Sequence, residues 1–184
     1  MASAGTARED FAIPPAEPRR VQESRDVSSR QASAKAPSSD VIKMVASHTA
    51  AMVKGLPRDC FAPGIPKAVQ YAAIDGFYAN VRSLIEFLGV KGIRRRGDGV
   101  FADEIVTAWK PVSDQATAAK LKKHWVAAST HATHFTRGRM TWIQVDQQEL
   151  ETVANDVLTV WDQFAEEADD DLIESSGHFT RYPS

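Results

Sequence analysis

Residues 66–88, PKAVQYAAIDGFYANVRSLIEFL, decide the fold. At about 100° per residue, Ile74, Phe77, Val81, Leu84, Ile85 and Leu88 fall within one arc of roughly 100°, the width a core-facing helix requires. Pro66 suits the first turn, where its missing N–H costs nothing, and Gly89 suits the stop. A second stripe, Tyr71, Asp75, Tyr78, Arg82 and Glu86, runs beside the apolar one and carries most of the polar chemistry of this helix. So one long amphipathic helix is predicted over Pro66 to Leu88, with a charged border along its core face.

Working outward from it, the same periodicity recurs. Upstream, a Ser38-Ser39-Asp40 cap precedes Val41, Met44, Val45, His48, Met52 and Val53, which mark one helical face; Gly55 and Pro57 predict its end, and Leu56 to Ile65 reads as a loop. Downstream, a short helix is expected from Ala102 to Trp109, stopped by Pro111. A longer helix begins near Ser113 or Asp114 and presents Leu121, Trp125, Ala128, Ala132 and Phe135 on one face, with His124 and His131 along its edge. Met140, Trp142, Ile143 and Val145 alternate enough to allow a short extended piece. The last helix opens on Asp146 with Glu149 three residues on, and carries Leu150, Val153, Ala154, Val157, Leu158, Trp161 and Phe164. Short connections place sequential helices side by side, so the expected fold is all-α: an antiparallel bundle of four main helices plus one short helix.

The ends read differently. Residues 1–38 are dominated by Ala, Ser, Pro, Arg and Glu and hold too little apolar surface to offset their ordering entropy, so a disordered tail is expected there. The helical domain is expected over 39–168. Asp169, Asp170 and Asp171 face the negative end of the last helix dipole, so 169–184 reads as a C-terminal tail.

The 184 residues, 43% of them hydrophobic, suffice for one core of ordinary size. A net charge of −2 gives no global attraction to nucleic acid or anionic membrane. The single cysteine, Cys60, excludes an internal disulfide and a thiolate zinc cage, and beside Phe61 it reads as a small apolar residue. No apolar run nears the roughly 20 residues of a membrane span, and no secretory apolar segment opens the chain; the expected setting is cytoplasmic, without a membrane partner.

Three groups of residues carry candidate chemistry. Asp75, Arg82 and Glu86 share nearly one angle on their helix, so Arg82 is either a positioned guanidinium for an anionic oxygen or a member of an ion-pair stripe bordering the core. His131 and His134 lie within one helical turn, near Arg137 and Arg139; imidazoles titrate near neutrality, and two beside a guanidinium can serve as acid and base in phosphodiester cleavage. The alternative is a hydrogen bond at the core edge for His131 and a helix cap for His134. A metal site needs a third donor, for which His124, Asp75 and Asp103 are the available side chains, and no metal or other cofactor is assigned. Lys91, Arg94, Arg95 and Arg96 form a basic cluster able to contact phosphates or simply to be solvated. No Gly-Lys-Ser/Thr or Gly-x-Gly-x-x-Gly supports a nucleotide loop.

The run Asp75 to Leu88, then Phe101-Ala102-Asp103, then His131 to Thr136 with Arg139 and Trp142, resembles the small bacterial helical proteins of the HEPN type over roughly Ala68 to Trp142. The resemblance implies an α-helical bundle, frequently dimeric, and in many members a metal-independent ribonuclease of toxin-antitoxin or phage-defence systems. Those nucleases carry Arg followed four to six residues later by His on one helix; this chain has no such spacing, so a nuclease here would join Arg82 to His131 or His134 across helices. Two readings follow: a noncatalytic helical interaction module, acting with a second copy, a partner protein or RNA, and a ribonuclease using Arg82, His131 and His134. Sequence alone leaves enzyme and binding module both open.

Overall fold

The computed structural model describes residues 37–90, 93, 99–132 and 145–175. Four helices account for most of them: α1 (Ser39–Asp59), α2 (Lys67–Leu88), α3 (Gln115–Ala132) and α4 (Gln147–Ala168). The fold is all-α, as expected. The described residues hold no strand beyond a single parallel bridge between Val90 and Val112.

Three of the four helices begin at a residue whose side chain caps the first turn. The Ser38 hydroxyl accepts from the Val41 amide, Asp114 from Thr117, and Asp146 from Glu149, in each case satisfying an N–H that the first turn leaves without an intrahelical acceptor. The exposed Asp114 carboxyl is held below its ordinary range chiefly by the Thr117 side-chain and backbone donors. Pro66 precedes α2 in extended conformation, and Gly89, at φ 72°, ends it in backbone that only glycine adopts readily.

The expected end of α1 at Gly55 is corrected: the helix runs through Pro57 to Asp59. Pro57 removes one intrahelical hydrogen bond but is buried, and the next turn continues with Cys60 N–H donating to the Leu56 carbonyl at 2.8 Å. The loop is therefore shorter than Leu56 to Ile65. The expected helix over Ala102 to Trp109 contracts to a single 3₁₀ turn, Ala102–Glu104, followed by further turns. A segment this short is marginal as a helix, and it is claimed instead by Trp109, whose buried indole donates to the Leu88 carbonyl at 2.7 Å and so closes the C-terminus of α2. Val112 N–H donates to the Gly89 carbonyl beside it, tying the exit of α2 to the approach to α3. The alternating Met140, Trp142 and Ile143 lie outside the described residues, as do residues 1–36 of the expected N-terminal tail.

Sequential helices pack antiparallel. Leu56 of α1 approaches Gly76 of α2, whereas the N-terminal half of α1 lies along Ser83, Leu84 and Phe87. Across α2 and α3, Glu86 meets Trp125 and Tyr78 meets His131. α2 lies between α1 and α3, and α4 closes the ring against α1, leaning across onto α2. The core runs through Val53, Phe77, Val81, Leu84, Ile85, Leu88, Leu121, Leu150, Val157, Leu158, Trp161 and Phe164, all fully buried. Phe164 is edge-on to both Phe87 and Trp109, at 5.3 Å and 5.4 Å between ring centroids.

The segment after α4, expected as the start of a tail, folds back instead. Asp169 ends the helix in left-handed conformation (φ 40°), and Asp170 then serves twice: one carboxylate oxygen accepts from the Leu172 amide at 2.8 Å, and the other pairs with Lys43 of α1. Ile173 is buried. The buried Ser47 hydroxyl donates to the Leu172 carbonyl and accepts from the Glu174 amide, Trp161 donates to the Glu174 carbonyl, and Ser175 donates to Asp162. Residues 170–175 thus form a strap joining the start of α1 to the end of α4.

Candidate functional site

The charged border of α2 meets α3 along one seam. Arg82 Nε donates to Glu86 Oε1 at 2.9 Å, and the Trp125 indole of α3 donates to the same oxygen at 2.9 Å. The guanidinium carbon lies 5.6 Å from the centre of the Trp125 ring, within cation–π range. One carboxylate oxygen therefore fixes the arginine on its own helix and the tryptophan on the next. The Arg82 side chain is only 14% exposed, so the pair is shielded from solvent more than an ordinary surface bridge. Asp75, half-buried on the same stripe, precedes it by two turns.

At the other end of the seam His131 stacks on Tyr78, ring centroids 4.7 Å apart and planes inclined by 15°. Tyr78 is fully buried, and its hydroxyl meets no hydrogen-bond partner among the described residues. Burial, reinforced by the negative charge of Glu149, pushes the phenol pKa well above its ordinary value and keeps it protonated. Tyr78, on the polar stripe of α2, and Trp125, on the expected core face of α3, are both members of the seam. Their aromatic character gave no signal of it, because core positions carry the same residues.

Arg82 and His131 thus lie on one α2–α3 seam, each engaged with an aromatic ring. His134 lies outside the described residues, as do Lys91, Arg94, Arg95 and Arg96. His124, raised above as a metal donor, meets Asp156 of α4 at 2.9 Å, and Lys120 shares that carboxylate at 3.0 Å. This cluster joins α3 to α4, and no sequence spacing could have revealed it. Among the described residues no three His, Cys, Asp or Glu side chains converge as metal donors. Cys60 is buried, and desolvation together with the Asp59 charge raises its thiol to about 11, which leaves it a protonated, unreactive core residue.

A second feature lies on the opposite side of α2. The face of α1 marked by its sequence periodicity divides in the structure: Val53 enters the core with Ala46, Ser47, Ala50 and Pro57, whereas Val41, Met44 and Val45 are 44%, 60% and 54% exposed. His48 continues this outward stripe one turn on. Beside it a groove of about 290 Å³ opens between α1 and α2, lined by Val41, Val45, Thr49, Leu84, Phe87 and Val100. Among the described residues no helix is long and apolar enough to cross a membrane.

Comparison of the chain with protein-family models, with curated proteins and with solved structures found no match.

Proposed function

We propose that this chain is a noncatalytic helical interaction module that docks another helix along the outward face of α1. The observation that supports it is the exposed stripe of Val41, Met44 and Val45 at helical spacing beside an apolar groove. Such a stripe supplies the i, i+3, i+4 anchors of helix-in-groove recognition, and leaving it in water costs free energy that a partner helix recovers. The ribonuclease alternative needs an arginine directed at substrate. Arg82 is held instead by Glu86 and Trp125, which favours a structural role for it. On this reading the HEPN-like motif survives as a packing pattern.

Two measurements test the proposal. A photo-crosslinking residue at Met44, introduced in cells, gives a discrete covalent adduct, and the same residue at the exposed Lys122 of α3 gives none; absence of any Met44 adduct overturns the docking assignment. Incubated with total RNA, the purified chain and its Arg82→Ala variant leave the substrate intact. Cleavage by the wild type that Arg82→Ala abolishes, with both proteins folded, restores the nuclease.

A further inference from the structure

We infer that the helix docked on α1 is a basic amphipathic one, with its apolar side on Val41, Met44 and Val45 and its lysine or arginine side against Asp171 and Glu174 of the strap. The inference rests on the docking role proposed for this face and names the chemistry of its occupant.

The strap gives the outward face of α1 a second wall. On the α2 side of the stripe lies the apolar groove; on the other side a cleft of about 420 Å³ is lined by Met44, Ser47, His48 and Ala51 of α1 and by Asp171, Leu172 and Glu174 of the strap. Met44 and Val45 therefore stand on a ridge between two depressions. Leu172 is 47% exposed, so that of the six exposed large apolar side chains among the described residues four, Val41, Met44, Val45 and Leu172, gather here. Apolar surface concentrated in this way marks a binding face, unlike single exposed residues. From Val41 to Ala51 the face runs about 15 Å along α1, so about three turns of a partner helix cover it.

Charge selects which helix. The groove on the α2 side is lined by no charged residue. The strap cleft, by contrast, presents the exposed Asp171 and Glu174, and neither carboxylate pairs with a basic group among the described residues. Exposed Asp40 adds negative charge at the amino end of the same helix. The basic groups of α1 do not offset it: Lys43 is paired with Asp170, and Lys54 and Arg58, further along, have interactions of their own. An apolar face with such a rim attracts lysine and arginine and repels an acidic helix, RNA phosphate and anionic lipid headgroups. The Ser47 hydroxyl, bonded to both the Leu172 carbonyl and the Glu174 amide, fixes the strap against α1. The two carboxylates are thus held where a long basic side chain, its stem on Met44 and Leu172, brings its charged end.

Fluorescence anisotropy with the full chain tests this. The probe is a stapled helical peptide of about three turns, with leucines at i, i+3, i+4 and i+7 and lysines on the flanks. It binds the wild type, and the same peptide with glutamates for lysines binds about tenfold more weakly or worse. Met44→Gln together with Val45→Gln, both at exposed positions and checked for helix content, weakens the lysine peptide about tenfold. Asp171→Asn together with Glu174→Gln weakens it about fivefold, whereas Gln148→Lys with Thr152→Lys, the same change in net charge on exposed positions at the opposite end of α4, leaves it unaltered. Equal binding of the two peptides overturns the inference, as does a strap variant no weaker than the α4 control, or stripe-dependent binding of a uridine oligonucleotide or of phosphatidylserine vesicles. If any of these is found and the Met44 crosslink still yields an adduct, the docking role stands and only the basic partner is lost; an adduct to an acidic segment or to a second copy of this chain has the same meaning. No adduct at all removes both.

Discussion

Glu86 accepts hydrogen bonds from two donors on two helices through one oxygen, and Tyr78, two turns earlier on α2, has a buried hydroxyl that no described residue satisfies. The two residues share a stripe and differ in consequence. The first couples α2 to α3; the second holds a polar atom inside the bundle at a cost on the order of 1–3 kcal/mol. Replacing Tyr78 with Phe removes that atom and keeps the ring that stacks on His131. Tyr78→Phe should therefore leave stability unchanged or raise it by up to about 1 kcal/mol in urea denaturation; a loss above about 1 kcal/mol would show that the hydroxyl has an essential partner. The gain should widen in alkali. Burial raises the phenol pKa in the folded state, so as pH climbs past the ordinary tyrosine value of about 10 the unfolded chain releases this proton first, and wild-type stability falls where the variant's does not.

Helix boundaries followed local chemistry where a side chain could cap its own backbone, as at Ser38, Asp114 and Asp146. They departed from it where a distant contact intervened. Pro57 is tolerated because burial holds the last turn of α1, and the Ala102 to Trp109 segment loses its helix to the indole that closes α2. The strap was illegible for the same reason: three consecutive aspartates read as fraying, yet Asp170 gains a lysine 127 positions away. That pairing has a pH signature. The Lys43 ammonium, followed by the Leu172 amide, holds the Asp170 carboxyl below its ordinary range. A depressed carboxylate contributes stability above its unfolded pKa of about 3.9, and the contribution disappears as pH falls through the lower folded value. Asp170→Asn should accordingly destabilise the chain at pH 7, and the difference from wild type should vanish in strong acid. A difference that persists there would assign the effect to the Leu172 turn rather than to the ion pair.

For the molecule as a whole, the all-α class was legible because the apolar stripe of α2 and the stripe of α4 allow no other period. The candidate seam was half legible: Asp75, Arg82 and Glu86 share an angle in sequence, but only packing shows Trp125 claiming the carboxylate. The outward turn of α1 was hidden, since periodicity finds an apolar face without saying whether its neighbour lies in the same chain. The strap carries a different implication, for synthesis. Lys43 and Ser47 are translated early, and their partners Asp170, Leu172 and Glu174 come more than 120 residues later. α1 therefore waits through nearly the entire translation of the domain before its last contacts exist, and a ribosome paused ahead of residue 170 holds a nascent bundle whose first helix is not yet latched, with its apolar surface offered to chaperones.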